Sequence, residues 1–436
     1  MSAVNLSVLP LAVLLFAACG ADPAPSDASD LRDGGSAVDA GDLSDASDAG
    51  EVSDAGEVSD AGEVSDAGDA STVEHDAGLA AWRLGTSQAF RGRANRMASL
   101  LPSGRIFVGG GDGIEDVDSS AEEYDPIADR WGARVMIRPA ATGNHTQTLL
   151  VSGEVLFTAG GLSDRDGAPI LAAGTECSLY DSAARTVTPT GSLTDVRSHH
   201  TATQLPDGRV LVVAGAGRGR VGSDWTVHPL ASAELYDRAT GLWASAMPLA
   251  TPRWSHTATL LDSGLVLVTG GTGDGVAPLA SAALYDPATN TWRAAGAMRQ
   301  ARWFHRAVKL RDGRVLIVGG TSGAAALAHA ELYDPASNTF VETAAMPGAA
   351  ADSAVVALDA DRVLVSGGYD TDPNASVTAV YLYDDRTEAW TIWAPMNVAR
   401  RGHSAVLLAD GRVVVLLGKV MGAIYDRGAE ITEGAP

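Results

Sequence analysis

The chain has 436 residues, with 31 Lys and Arg against 54 Asp and Glu and a formal charge of −23. That balance, with no basic stripe, excludes nucleic acid as a partner. Two cysteines, Cys19 and Cys177, exclude a disulfide-built scaffold, and a hydrophobic content of 46% leaves material for a large core.

An apolar run from Val4 to Ala18 is too short to span a bilayer and ends in Phe16-Ala17-Ala18-Cys19-Gly20. Small residues ahead of a cleavage point read as an export signal over residues 1–18. A Cys directly after them resembles the bacterial lipoprotein box, whose Cys becomes the lipidated first residue. Phe16 in place of the usual Leu, and the lack of Lys or Arg before the run, depart from that pattern. The resemblance implies an exported protein anchored through Cys19 to the bacterial cell envelope, at the outer membrane or cell surface. Cys177 is then left without a partner.

Residues 19–78 read as an acidic linker, with Glu-Val-Ser-Asp-Ala-Gly three times in tandem from Glu51 to Gly68. Residues 20–78 hold 17 acidic residues and one Arg, which leaves −7 of the −23 to the rest of the chain. Few bulky apolar side chains and high like charge predict a disordered spacer. Its span is about 40–45 Å on random-coil scaling.

Residues 79–436 form a repeat. Tyr-Asp marks seven points: Tyr124, Tyr180, Tyr236, Tyr285, Tyr333, Tyr383 and Tyr425 with the Asp after each. The steps are 56, 56, 49, 48, 50 and 42 residues. A period near fifty means one supersecondary unit copied around an axis. Within a unit, two short apolar runs flank Asp-Gly or Ser-Gly, the signal of a tight hairpin. The second run is wholly apolar, as in Val315-Leu-Ile-Val318, and ends at Gly319-Gly320. The third strand ends at Tyr-Asp, and a fourth carries an aromatic seven residues on: Trp131, Trp243, Trp292, Phe340 and Trp390, with Val187 in copy two.

Four strands per unit, seven units and no helical period predict an all-β, seven-bladed β-propeller with four antiparallel strands per blade. Gly-Gly after strand two, Tyr-Asp after strand three and Trp on strand four resemble the kelch-repeat family over residues 81–436. Trp82 stands 22 residues before Gly104, as Trp131 stands 22 before Gly153. It therefore holds the register of a fourth strand with no first three before it. The expectation is an N-terminal strand that closes the last blade and removes two sheet edges. The rival is Ala429 to Glu433 as that strand, with Thr432 at the aromatic position.

His145, His200, His256, His305 and His403 share one repeat position, where copy one has Arg96 and copy six Asp352. A residue common to most copies serves what all copies share, so these imidazoles read as scaffold, and no metal or cofactor is expected. Function is sought where copies differ. Candidates on one rim are Arg197, Arg253, Arg302 and Arg400, Trp254 and Trp303 beside two of them, and Arg218, Arg220 and Tyr369 in the loops after Gly-Gly. In kelch proteins the corresponding arginines contact partners, and the resemblance implies the same here.

No nucleophile elbow, zinc-protease motif or phosphate loop is present. A copper-radical oxidase resembling galactose oxidase needs a Cys cross-linked to Tyr and a Tyr-His pair. Cys177 is the only candidate Cys, and no Tyr-His dipeptide exists. The expectation is a monomeric, membrane-tethered, extracytoplasmic module that binds a protein or glycan at its rim without catalysis. The alternative is a carbohydrate-active or galactose-oxidase-like enzyme.

Overall fold

The computed structural model describes residues 82–89, 97–111, 120–137, 144–160, 174–221, 224–359, 361–421 and 424–436. The export segment, Cys19, the acidic linker, Arg93 and Arg96 lie outside the described residues. Those described form seven antiparallel blades of four strands around an axis, a seven-bladed β-propeller.

Blade five shows the unit. Its inner strand, Arg306–Lys309, pairs with the second, Val315–Val318, then the third, Ala330–Asp334, and the outer, Thr339–Thr343. Val315, Leu316, Ile317 and Val318 are all fully buried. A strand covered on both faces by neighbouring blades gains nothing from polar alternation, so the run is continuously apolar. The tyrosines at the end of the third strands, Tyr124 to Tyr383, are 0–1% exposed. Five of them pack their rings against the outer-strand aromatic directly opposite, at centroid distances of 4.9–5.0 Å. The Asp after each Tyr accepts turn N–H groups, as Asp286 does from Ala288 at 2.9 Å. At Gly320 φ is +87°, and a Cβ there would sit 2.6 Å from the Trp303 carbonyl, so the chain needs glycine.

Outer-strand tryptophans tie blades three, four, six and seven to the one before. Trp243 Nε1 donates to Gly191 O, Trp292 to Met247 O and Trp390 to Ala344 O. Trp82 does the same to Ala394 O at 2.9 Å. Its strand, Trp82–Leu84, pairs antiparallel with Ala429–Thr432 as the outer strand of blade seven, and the inner strands of blades one and seven lie side by side. The N-terminal strand closes the ring.

The rival assignment of Ala429–Thr432 is corrected: it is the third strand of blade seven, with Glu430 opposite Val415. Ala429-Glu-Ile-Thr432 repeats Ala330-Glu-Leu-Tyr333, and Thr432 stands where the other blades have Tyr. Tyr425 instead belongs to a small hairpin, Lys419–Met421 with Ile424–Tyr425, inserted ahead of that strand. Counted to Thr432 the last step is 49 residues, in line with the others.

Trp82 is 6% exposed and meets Trp393 edge-on at 5.5 Å. Trp82→Ala is expected to cost about 3–5 kcal/mol, the loss for a buried aromatic truncated to Ala, read as a lower urea midpoint. A midpoint within error of wild type would show that closure does not depend on this strand.

Candidate functional site

Arg197, Arg302 and Arg400 are not presented to a partner, which corrects for these three the expectation drawn from the kelch resemblance. Arg197, Arg302 and Arg400 are 0% exposed and Arg253 is 2%. Each guanidinium seals strand ends by donating to carbonyls that the sheet leaves over: Arg302 Nη1 to Gly319 O at 3.0 Å and His329 O at 2.9 Å. Three of them also pair with a buried carboxylate, Arg197 with Glu234, Arg302 with Glu331 and Arg400 with Glu430. Sequence shows the arginines recurring. Only packing shows that their heads point inward.

The histidines are scaffold. His200 Nε2 contacts Thr146 and Thr158 hydroxyls of the preceding blade at 3.1 and 2.9 Å. His256, His305 and His403 make the same contact with Thr201, Thr257 and Thr269, and Ser366. Burial drives them neutral: His256 falls to about 3, and His200, His305 and His403 lie well below the usual imidazole range. In blade six Ser353, 1% exposed, fills this place, and Ala350 stands at the arginine position. Asp352 is therefore one position earlier than the sequence alignment put it.

That earlier position builds the site. Asn144, His199, Ser255, Phe304 and Asp352 all adopt φ of 51–55°, and Gly402 adopts 56°. Their backbones join in a circuit: His199 N donates to Asn144 O, Ser255 N to His199 O, Phe304 N to Ser255 O, Asp352 N to Phe304 O and Gly402 N to Asp352 O, at 3.0–3.3 Å. Five non-glycine residues in the left-handed region are held there by this run of bonds from blade two to blade seven, a pattern that clusters at functional sites. With the inner strands they line an axial cavity of about 420 Å³. The backbone is the same in six blades while the side chain is different in each. That contrast is present in the repeat, one position before the shared histidine.

Trp254 and Trp303 stand one residue before this circuit, each bridged to a residue after the Gly pair, Thr272 or Thr321. Trp254 meets His199 edge-on at 5.1 Å and Trp303 at 5.8 Å, and Trp303 packs on Phe304 at 5.0 Å. The result is an aromatic wall across blades three to five. Trp303 Nε1 and Ser255 Oγ are buried and have no hydrogen-bond partner among the described residues.

Next to this wall lies a charged group. Asp352 Oδ1 takes Arg306 Nη2 at 3.3 Å, and Arg401 Nη1 stands 4.0 Å from its Oδ2. Tyr369 lies under the Arg401 guanidinium at 5.6 Å. Burial and then the Asp352 charge raise the Tyr369 phenol, which stays protonated. Arg401 and Arg306 were not singled out by sequence; Arg401 holds the repeat position of Trp254 and Trp303. Arg218 lies on a hairpin, Ala216–Val221 with Asp224–Pro229, that does not line the cavity. Arg220 is on the same strand, and its side chain lies outside the described residues.

No family model and no curated protein matches the chain. Solved structures do. A fungal alcohol oxidase of the AA5 family, in complex with copper, is 16% identical with a TM-score of 0.63, over 80% of this chain and 76% of that one. The structure of YjhT is 15% identical with a TM-score of 0.52, over 66% and 93%. At these identities the likeness shows the fold.

The expectation of a non-catalytic binding module is corrected. A solved structure with this propeller architecture is a copper-containing alcohol oxidase, so the fold together with the missing sequence motifs gives no ground for ruling catalysis out. The residues here do not fit copper. Cys177 sits on the third strand of blade two, outside the cavity lining, with its thiol pushed up to about 11 by burial. The cavity imidazoles of His200, His256, His305 and His403 are held on hydroxyls, and among the described residues no three His, Cys, Asp or Glu come together to hold a metal.

Proposed function

We propose that the protein is a carbohydrate-active enzyme of kelch-type propeller architecture, which takes a sugar ring at the mouth of the axial cavity and acts on it by proton transfer. The observation that carries this reading is the meeting of the Trp254–Trp303–Phe304 wall with the Asp352–Arg306–Arg401–Tyr369 group at one circuit of strained backbone. Aromatic faces suit the C–H faces of a sugar. Guanidinium and carboxylate groups suit its hydroxyls. Asp352 is the proton acceptor and the neutral Tyr369 phenol the donor. Of these groups Phe304, Arg306 and Asp352 line the axial cavity itself, and the others stand beside it. One carboxylate beside a phenol, in place of a carboxylate pair, favours proton shuttling over glycoside hydrolysis.

The test is a panel of mono- and disaccharides followed by NMR. Turnover of a sugar is expected, with KM raised roughly tenfold by Trp254→Ala plus Trp303→Ala, the effect of about 1.4 kcal/mol of lost stacking. Unchanged KM in the double variant, or no sugar turned over, would refute the reading.

The lipoprotein resemblance supports a place at the cell envelope through Cys19. Metabolic labelling of the full chain with a fatty acid is expected to mark wild type and to miss Cys19→Ala. Equal labelling of both, or of neither, would remove the anchor.

A further inference from the structure

Blades three, five and seven share a carboxylate cradle. The buried arginine and two consecutive backbone N–H groups just ahead of it converge on one glutamate. Glu234 receives Arg197 Nη2 at 2.7 Å, Thr194 N at 2.8 Å and Asp195 N at 3.5 Å. Glu331 receives Arg302 Nη2 at 2.7 Å, Arg299 N at 2.7 Å and Gln300 N at 3.2 Å. Glu430 receives Arg400 Nη2 at 2.6 Å, Asn397 N at 2.6 Å and Val398 N at 2.9 Å.

Blade four has the donors and lacks the carboxylate. Ala283 lies opposite Val268, in the register that places Glu234 opposite Val212 and Glu331 opposite Ile317. Arg253 keeps the conformation of its counterparts, with Nη1 2.8 Å from Gly270 O and 3.0 Å from Ser281 O. Its Nη2 meets only the Ser281 hydroxyl, at 3.0 Å. Burial, with no carboxylate to oppose it, lowers Arg253 to about 10. The N–H groups of Ala250 and Thr251 stand at the places of Arg299 and Gln300 and have no acceptor among the described residues. The three glutamates are 0–2% exposed, whereas Ala283 is partly exposed, so the notch opens to solvent. Blade six lacks both halves, with Ala350 for the arginine and Tyr381 for the glutamate. Among the described residues, blade four alone keeps the buried arginine without its glutamate, an arrangement that is costly unless something compensates it.

We propose that blade four binds a carboxylate anion in this notch, its oxygens held by Arg253 Nη2 and the N–H groups of Ala250 and Thr251. The ligand is a carboxylate, free or carried by a larger acid, and it docks one residue ahead of Trp254. The site stands independently of the sugar chemistry proposed above.

The experiment is the melting temperature of the full chain in sodium formate against sodium chloride at equal ionic strength, for wild type, Ala283→Glu and Glu331→Ala. Wild type is expected to melt higher in formate. Ala283→Glu supplies the carboxylate covalently, so it should melt higher than wild type and lose the formate response. Glu331→Ala opens a second notch, so it should melt lower and gain response. A wild type indifferent to formate while Glu331→Ala responds, or an Ala283→Glu that melts lower, would overturn the proposal. Repeating the series with glucuronate separates the sources. An equal response marks the carboxylate of a larger acid, and a response to formate alone marks a free anion.

Discussion

Lowering the pH from 7 to 4.5 is expected to unfold the propeller in one steep transition. Each buried imidazole of His200, His256, His305 and His403 has its Nε2 on a hydroxyl and its Nδ1 without a partner, so the fold offers an added proton no compensation. His256 protonates at about 3 in the fold and the other three well below 6.5, all driven down first by burial. In the unfolded chain they protonate near 6.5. Between those values the unfolded state binds more protons, so stability is complete above about 6.5 and declines as the pH drops toward 4. Each histidine contributes roughly 1.4 kcal/mol per pH unit. The four acting together remove about 4 kcal/mol in the first unit below 6.5 and more in the next, a large part of the stability of an ordinary domain. Urea unfolding at half-unit pH steps measures the slope. His256→Gln should lower that slope by about one proton. A stability flat from pH 6.5 to 4.5 would contradict neutral, uncompensated imidazoles.

Asp352→Asn is expected to lower kcat on a turned-over sugar roughly 10²–10⁴-fold, the usual worth of a positioned general acid or base. The substitution keeps the shape of the side chain, and Asp352 is only 15% exposed between Arg306 and Arg401, so the circuit of backbone bonds should survive. KM should move far less than kcat, because Arg306 and Arg401 remain to hold hydroxyls. Tyr369→Phe should remove the alkaline limb of the pH–rate profile while leaving the cation–π stack on Arg401 in place. Full kcat in Asp352→Asn would dismiss this carboxylate as the proton acceptor, and a KM effect alone would reduce it to a binding group.

Blade number, the four-strand unit and the closing strand were legible because each copy must bury the same faces. The second strand, sealed by two neighbours, has to be apolar, and Tyr and Trp have to fill the gap where blades splay apart. The histidines read as scaffold for the same reason. Trp82 was recognisable because its spacing to the first turn matches that of Trp131 to the next.

Other features were decided by contacts between distant segments. Tyr425-Asp426 has the look of a repeat mark but falls in an inserted hairpin, and Ala429–Thr432, which ends in Thr, takes the third-strand place because Glu430 there completes the Arg400 pair. The arginine heads turn inward because strand-end carbonyls and buried glutamates await them, and no local pattern states that direction. The left-handed circuit from Asn144 to Gly402 arises in residues as unlike as Phe304 and Asp352. It is imposed by blade-to-blade packing, where each N–H from His199 to Gly402 finds the carbonyl of the blade before. The sequence by itself determined the ring and its shared scaffold. The tertiary structure alone decided which side chains face the axis, because that depends on partners some fifty residues away in the neighbouring blade.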